Sequence, residues 1–246
     1  MPGQPIPDAD YTEDEHELWR IISPELREKH QRYACREFLR GASLLELPAE
    51  HLPQLNEVSG RLERLTGFRF SPAATLVEMR DFYGSLAEPR FQATQYVRHN
   101  SMPMFSPEPD MIHEVIGHGT ALANSKLATL YQLFGQAVGR FQDQEILNIL
   151  SRVFWFTLEH GLVREDGEVR ALGASLLSSC GELEQFHDAD IRPLDLAVMV
   201  HQEYRVEEYQ PVLFCADSFE HLAGFMTRVL TSDAQGIKAA ASPHTP

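Results

Sequence analysis

The chain has 246 residues, a length that suits one domain of ordinary size with a substantial core. Hydrophobic residues make up 43% of the chain and charged residues 23%, the balance of a globular protein. The formal net charge of -15 argues against a nucleic-acid partner and an anionic membrane surface, because both require a basic patch. The polar N-terminus, the lack of a long apolar run and three cysteines without a pattern favour a cytoplasmic protein.

The first part of the chain predicts scaffold helices. Residues 1 to 10 are expected to be a disordered leader. Thr12 and Glu15 form a capping-box pattern that opens a short helix. Ser23 and Pro24 then predict the start of a second helix, because proline is favoured at the first helical position.

The second half predicts further helices and one small β element. Asp166-Gly167 lies between two apolar residues and is typical of a tight hairpin turn. After Leu230 the composition shifts to Ala, Ser, Gly and Pro, so residues 231–246 are expected to form a flexible tail. The sequence therefore predicts one mainly α domain with minor β strands, over residues 11–230.

Two histidines, His113 and His118, lie five residues apart after a proline-rich loop. At about 100° per residue, five residues turn the second side chain roughly 140° away from the first on an ideal helix. The zinc-protease pattern uses a separation of four, which keeps both rings on one face. Both imidazoles can therefore bind one metal only if the helix loosens or ends near Gly117, a residue type that tolerates such a departure.

The best candidate for a third ligand is Glu159, a lone carboxylate within an apolar and aromatic run that includes Trp155. Burying a carboxylate there is costly unless the group is paired or coordinated. Two neutral imidazoles and one carboxylate, with other positions open, form the facial triad of non-haem Fe(II) oxygenases.

Longer motifs resemble the catalytic core of the pterin-dependent aromatic amino acid hydroxylases. They are TQYVRH at 94–99, SPEPD at 106–110, FWFTLE at 154–159 and GASLLSS at 173–179. The resemblance runs from about residue 11 to about residue 230 and is closest to the short, bacterial-type phenylalanine hydroxylases. It implies the catalytic-domain fold of that family, an Fe(II) ion, a tetrahydropterin such as tetrahydrobiopterin, and dioxygen as co-substrate. It also implies a cytoplasmic monomer that hydroxylates an aromatic amino acid, with L-phenylalanine to L-tyrosine as the leading reaction.

The resemblance assigns roles to individual side chains. The metal ligands would be His113, His118 and Glu159. Substrate-site positions would be Arg98, Ser106, Pro109, Trp155, Ser175 and Ser178. Pterin-site positions would be Val77, Met79, Phe82 and Glu114. Arg98 would clamp the α-carboxylate, because a guanidinium binds a carboxylate bidentately. Asp110 would orient Arg98 or a ligand histidine, or would cap the metal helix, and the sequence leaves these alternatives open.

Four positions depart from the family pattern. Ser175 stands where phenylalanine hydroxylases usually have glycine, and Phe154 replaces a tyrosine. His160 replaces a phenylalanine after the ligand glutamate, and Gln92 takes a position often held by a pterin-facing histidine. These departures leave the reaction class intact and leave the substrate and the hydroxylated ring position open.

Three other interpretations follow from the same residues. The first stays within the same enzyme class: the substrate would be tryptophan, or phenylalanine would be hydroxylated at another ring carbon. Trp155 favours phenylalanine over tryptophan. From another class, Glu114 would act as the base of a zinc hydrolase, which the five-residue histidine separation argues against. A non-catalytic binding protein has no supporting feature in the sequence.

Overall fold

The computed structural model describes residues 6–73, 79–99, 108–206 and 208–243, without the side chain of Met79. The helices are α1 (Glu13–Tyr33), α2 (Arg36–Leu45), α3 (Leu55–Thr66), α4 (Met79–Ser85), α5 (Thr120–Leu122), α6 (Ser125–Gly139), α7 (Gln144–Phe154), α8 (Ala174–Leu177), α9 (Cys180–Gln185), α10 (Leu196–Met199), α11 (Phe219–Thr231) and α12 (Ala234–Ala241). Two π-helical turns, His113–Gly119 and Trp155–Glu159, precede α5 and follow α7. The strands are β1 (Arg69–Pro72), β2 (Arg90–Ala93), β3 (Leu162–Glu165), β4 (Glu168–Ala171), β5 (Asp190–Pro193) and β6 (Val212–Ala216). The mainly α fold with minor β strands is confirmed.

Helix α1 begins as predicted and continues beyond its predicted end. The Thr12 side chain accepts from the Glu15 backbone N–H, and the Glu15 carboxylate accepts from the Thr12 N–H, which completes the capping box. The predicted break at Ser23-Pro24 is wrong, because Pro24 lies inside one continuous helix. A buried stripe that crosses the proline explains the continuity, since its residues pack on the core at helical spacing: Leu18, Trp19, Ile22, Leu26 and His30.

A four-stranded sheet has the order β4-β3-β6-β5, with β3 and β4 antiparallel and the other pairs parallel. The predicted hairpin joins β3 to β4. Asp166 and Gly167 both have positive φ, 52° and 85°, which is the combination that a type I′ turn requires. Strands β1 and β2 form a separate parallel pair.

Both ends of the described chain are more ordered than the sequence predicts. Ile6 is buried, and Ala9 exchanges two backbone-to-side-chain hydrogen bonds with Gln54, at 2.9 and 3.0 Å. In the expected tail, Asp233 caps α12, whose Ile237 is buried and packs on the core. Asp233 followed by an apolar residue four positions on is the local signal that the composition concealed.

One contiguous hydrophobic core joins the helices to the sheet. Helix α8 packs against both π-helical turns, so it lies between the two segments that carry the candidate metal ligands. Within the described ranges, no helix combines the length and the apolar character needed to cross a bilayer.

Candidate active site

The two histidines lie on the first π-helical turn. The Thr120 N–H donates to the Val115 carbonyl, five residues earlier, which is the hydrogen bond of a π-helix. Residues five apart therefore come to the same side of the helix, and the His113 and His118 ring centroids lie 4.6 Å apart. This is the loosening that the histidine spacing requires, and regular helix resumes at once in α5.

Gly117 is needed for packing and not for an unusual backbone conformation. Its φ is not positive. A Cβ on Gly117 would lie 2.7 Å from the Ala174 carbonyl oxygen, a distance that real Cβ atoms essentially never show. The glycine thus lets the start of α8 approach the histidine-bearing turn.

The second π-helical turn places the carboxylate. The His160 N–H donates to the Trp155 carbonyl at 2.9 Å, again five residues back. Glu159 Oε1 lies 3.2 Å from His118 Nε2, and Oε2 lies 3.9 Å from His113 Nε2. The three side chains that the sequence singled out as metal ligands therefore converge.

A hydroxyl group lies within hydrogen-bond distance of the Nδ1 atom of each imidazole. Ser178 Oγ lies 2.9 Å from His113 Nδ1, and Tyr131 Oη lies 2.9 Å from His118 Nδ1. The Ser178 hydroxyl also donates to the Ala174 carbonyl, so it accepts from an N–H at His113 Nδ1. The lone pair of His113 is then on Nε2, which faces Glu159.

The ionisation of the site suits a cation. Burial, together with the neighbouring His118, lowers the pKa of His113 to about 4. Burial alone would raise the pKa of Glu159, but attraction to His118 and His113 outweighs it and lowers the pKa to about 2. A neutral imidazole beside a carboxylate at neutral pH is the unprotonated state that metal binding requires.

A second ligand set is also possible from the geometry. Ligand atoms of His113, Glu114 and His118 all lie within 4.8 Å of one another. Glu114, however, is buried, and its Oε1 already accepts a hydrogen bond from the Thr94 N–H at 3.1 Å. The two oxygens of Glu159 lie near the Nε2 atoms of His118 and His113, so Glu159 is the stronger candidate for the third ligand.

Arg98 and Asp110 form a buried, two-pronged ion pair beside this site. Arg98 Nε and Nη2 donate to the two carboxylate oxygens of Asp110 at 2.8 and 2.7 Å. Asp110 also accepts from the His113 backbone N–H at 3.1 Å, at the start of the π-helical turn. The two alternatives for Asp110 are therefore compatible, since one carboxylate both orients Arg98 and satisfies an N–H of the metal-binding turn.

A column of stacked rings lies next to the carboxylate. Trp155 stacks on Tyr204, with centroids 4.3 Å apart and planes at 21°, and its other neighbour is His160 at 4.4 Å. Trp155 Nε1 and His160 Nδ1 are buried and lack a hydrogen-bond partner among the described residues. These rings form a wall held by packing.

The remaining predicted site residues fall into two groups. Val77 and Ser106, and the side chain of Met79, lie outside the described residues. Phe82 is half-buried and meets Phe91 edge to face, while Pro109 is exposed. Phe154 packs within the aromatic core.

The sequence interpretation missed two residues, Tyr131 and Tyr204. Tyr131 lies on the apolar face of α6 and is fully buried. A buried tyrosine usually has a partner for its hydroxyl, and that rule was the available signal. Tyr204 had none, because its contact with Trp155 joins distant parts of the chain.

The chain is similar to known aromatic amino acid hydroxylases. Residues 1–238 match the family described as biopterin-dependent aromatic amino acid hydroxylase. The chain is 47% identical over 221 residues to phenylalanine 3-hydroxylase of Streptomyces coeruleorubidus, covering 90% of this chain and 79% of the relative. It is 41% identical over 224 residues to phenylalanine-4-hydroxylase of Rattus norvegicus, covering 88% of this chain and 49% of the relative. It therefore spans less than half of that animal relative.

A solved structure is also similar. It is phenylalanine hydroxylase from Chromobacterium violaceum with bound iron(III) and the oxidised cofactor 7,8-dihydrobiopterin. Its TM-score is 0.84 at 27% identity, with 95% of this chain and 85% of that chain covered.

Proposed function

The chain belongs to the biopterin-dependent aromatic amino acid hydroxylases, and on this premise we propose that it hydroxylates the ring of L-phenylalanine with Fe(II), a tetrahydropterin and dioxygen. The observation that carries the proposal is the convergence of His113, His118 and Glu159 from two π-helical turns. The family membership sets aside the zinc hydrolase and the non-catalytic binding protein.

The metal site fits iron by the chemistry of its donors. Two imidazole nitrogens and one carboxylate occupy one side of the ion and leave other positions for exogenous ligands. When bound, iron and tetrahydropterin together supply the activation of dioxygen and the electrons for hydroxylation. The protein holds His113 Nε2, His118 Nε2 and Glu159 in fixed directions through their hydroxyl partners.

Arg98 is assigned to the α-carboxylate of the substrate. Its pairing with Asp110 fixes the plane of the guanidinium, so the bound carboxylate meets donors of set direction. Because Asp110 also contacts the His113 backbone, this plane is tied to the metal-binding turn. The arrangement places the amino acid relative to the ion.

The substrate ring is assigned to the wall that Trp155 presents, with Ser106 and Pro109 as further contacts. Trp155 is half-buried, and Tyr204 and His160 pack against its ring, so the exposed edge of the indole is the part left for a substrate. An aromatic edge favours an edge-to-face arrangement with a second aromatic ring.

The pterin is assigned to the side of Phe82 and Glu114, with Val77 and Met79 as further contacts. Phe82 is only half-buried, so part of its ring remains accessible for stacking on a planar heterocycle. Glu114 is held by the Thr94 N–H at the edge of β2.

For the ring position, C3 is the position we favour. The Streptomyces relative, named a phenylalanine 3-hydroxylase, is the more similar of the two phenylalanine hydroxylases compared above. The C4 product that the sequence led us to expect, L-tyrosine, is the alternative, favoured by the phenylalanine-4-hydroxylase relative. The departures at Ser175 and His160, both beside Glu159, bear on this choice.

A turnover assay tests the proposal. The iron-loaded protein is given tetrahydrobiopterin, oxygen and, in turn, phenylalanine, tyrosine or tryptophan, and the products are separated by chromatography. The expected main product is 3-hydroxyphenylalanine from phenylalanine. L-tyrosine as the main product would place the reaction at C4, and faster turnover of tryptophan would overturn the assignment of the substrate. Zinc retained in place of iron, with no hydroxylation, would overturn the proposed function.

A further inference from the structure

Ser175 contacts the metal-binding carboxylate directly. The sequence interpretation placed it in the wall of the substrate pocket. Its Oγ donates to Glu159 Oε2 at 2.8 Å, and the side chain is half-buried.

The backbone fixes this contact from two directions. A Cβ on Gly173 would lie 2.2 Å from the Glu159 carbonyl oxygen, so the start of α8 lies against the carboxylate-bearing turn. A Cβ on Gly117, on the histidine-bearing turn, would likewise lie 2.7 Å from the Ala174 carbonyl oxygen. The contacts of α8 with both turns therefore hold the backbone of Ser175, the next residue, beside Glu159.

The two oxygens of Glu159 are not equivalent. Oε1 lies 3.2 Å from His118 Nε2 and is not the atom to which Ser175 donates. Oε2 lies 3.9 Å from His113 Nε2, and it accepts the Ser175 hydroxyl. A hydroxyl that donates to one oxygen restricts rotation of the carboxylate and reduces the electron density that this oxygen offers to a cation.

We propose that Ser175 is a positioning residue that presents Glu159 Oε1 to the metal and holds Oε2 back, so that Glu159 binds through one oxygen. The hydroxyls of Ser178 and Tyr131 bond to the two imidazoles in a similar way. With Ser175, each of the three proposed ligands has a hydroxyl partner. The proposal rests on the metal site assigned under the proposed function, and it concerns the geometry of that site and not the substrate.

The test compares metal binding with and without the hydroxyl, using Co²⁺ as a spectroscopic substitute for Fe²⁺. Ser175→Ala removes the hydroxyl and keeps the Cβ. It is expected to raise the Kd for Co²⁺ by about tenfold or more, as the loss of such partners commonly does, and to change the visible absorption of the bound ion. Ser175→Thr keeps a hydroxyl and is expected to restore most of the affinity and the wild-type spectrum.

Two further variants separate the effect of the Ser175 hydroxyl on metal binding from effects on folding and on side-chain volume. Ser59→Ala, the control, loses a buried serine hydroxyl that accepts from the Phe70 N–H at 3.0 Å, and it is expected to lower the Tm with the Kd unchanged. Ser175→Val has nearly the shape of Ser175→Thr without the hydroxyl. The difference between Val and Thr therefore measures the hydroxyl even if Ser175→Ala folds poorly.

Equal Kd values and equal spectra for wild type, Ser175→Ala and Ser175→Val would overturn the proposal. A wild-type protein that is folded but binds no Co²⁺ would instead overturn the metal site itself. The two failures are thus distinguishable without any turnover measurement.

Discussion

Two largely buried carboxylates, Glu159 and Glu182, have pKa values shifted in opposite directions by their surroundings. Glu159 faces two imidazoles and a hydroxyl, and its pKa falls to about 2 although burial acts to raise it. Glu182, near the start of α9, accepts one hydrogen bond from the Gln210 N–H at 2.8 Å, and burial raises its pKa to about 7. Depth alone therefore does not set the charge; the partners do.

The contrast distinguishes a carboxylate that suits a cation from one that accepts a hydrogen bond within the protein. Glu159 stays ionised at neutral pH and is ready for a cation, whereas Glu182 is partly protonated and serves as an acceptor for one backbone N–H. Keeping a carboxylate ionised at low solvent exposure requires several polar partners at once, and Glu159 finds them on α8 and on the first π-helical turn.

The largest effect is expected from replacing the three candidate metal ligands. His113→Ala, His118→Ala and Glu159→Ala should each abolish iron retention and turnover and leave the fold intact, because two ligands do not hold the ion in its open site. The measurement is the iron content of the purified variants with their circular dichroism. His51→Ala, at an exposed position, and Glu182→Gln are controls that should retain iron. Full iron occupancy in Glu159→Ala would remove that residue from the site.

The next effect concerns Glu182 and depends on pH. Its pKa is higher in the folded protein than the ordinary 4.5, so the folded state binds the proton more tightly. Stability is then greatest below 4.5 and falls as the pH rises towards 7. Glu182→Gln removes this fall, and the variant should be more stable than wild type by up to about 3 kcal/mol near ~pH 8.

Denaturant unfolding across this pH range measures the difference. Near ~pH 4, where the carboxyl is protonated in both states, the two proteins should be equally stable. The side chain of Tyr209 is the titratable neighbour, and burial raises its pKa, so it adds no charge in this window. A stability difference that is constant with pH would contradict the assignment.

Asp110 is a third buried carboxylate, and its partner is a permanent cation. Arg98→Lys should raise the KM for the amino acid by at least about tenfold, on the order of 1.4 kcal/mol, because an ammonium cannot reproduce the planar fork. The KM for the pterin should change far less. Steady-state kinetics with each substrate varied gives both values, and Arg32→Lys at the surface is the matched control. An unchanged KM for phenylalanine in Arg98→Lys would show that Arg98 does not clamp the carboxylate.

The smallest effect is expected at His160, the residue that follows Glu159. Burial lowers the pKa of His160 to about 4, and its Nδ1 has no partner within the described chain. His160→Phe keeps the ring against Trp155 and removes the buried polar atom, so the Tm should rise by about 2–4 °C, roughly 1 kcal/mol. Calorimetry measures the Tm, and the iron content should not change. A lower Tm would mean that the imidazole makes a favourable polar contact.

Local chemistry was predictable from the sequence. The Thr12–Glu15 capping box and the Asp166-Gly167 turn each depend on a few neighbouring residues, and both are present. The two histidines and Glu159 were predictable as a set because their spacing and apolar setting are unusual. The geometry that unites them was indicated only as a loosened helix.

Features that depend on distant residues were not predictable. Pro24 stays within α1 because a buried stripe continues on both sides of it. The π-helical form of the metal-binding turn accompanies close packing of Ala174 on Gly117, far apart in sequence. Tyr131 finds His118, and Tyr204 finds Trp155, only once the helices have packed.

The π-helical turns make the active site depend on the length of the chain between its ligands. Each turn holds one residue more than the α-helical turn in its place would hold. Deleting Gly119, just after the two histidines, would leave all three ligands in the sequence. It would nevertheless remove the extra residue of the turn, and in an α-helical turn the side chains of His113 and His118 would point roughly 140° apart. Related sequences in this segment should therefore differ by substitutions, while insertions and deletions should be confined to the loops outside it.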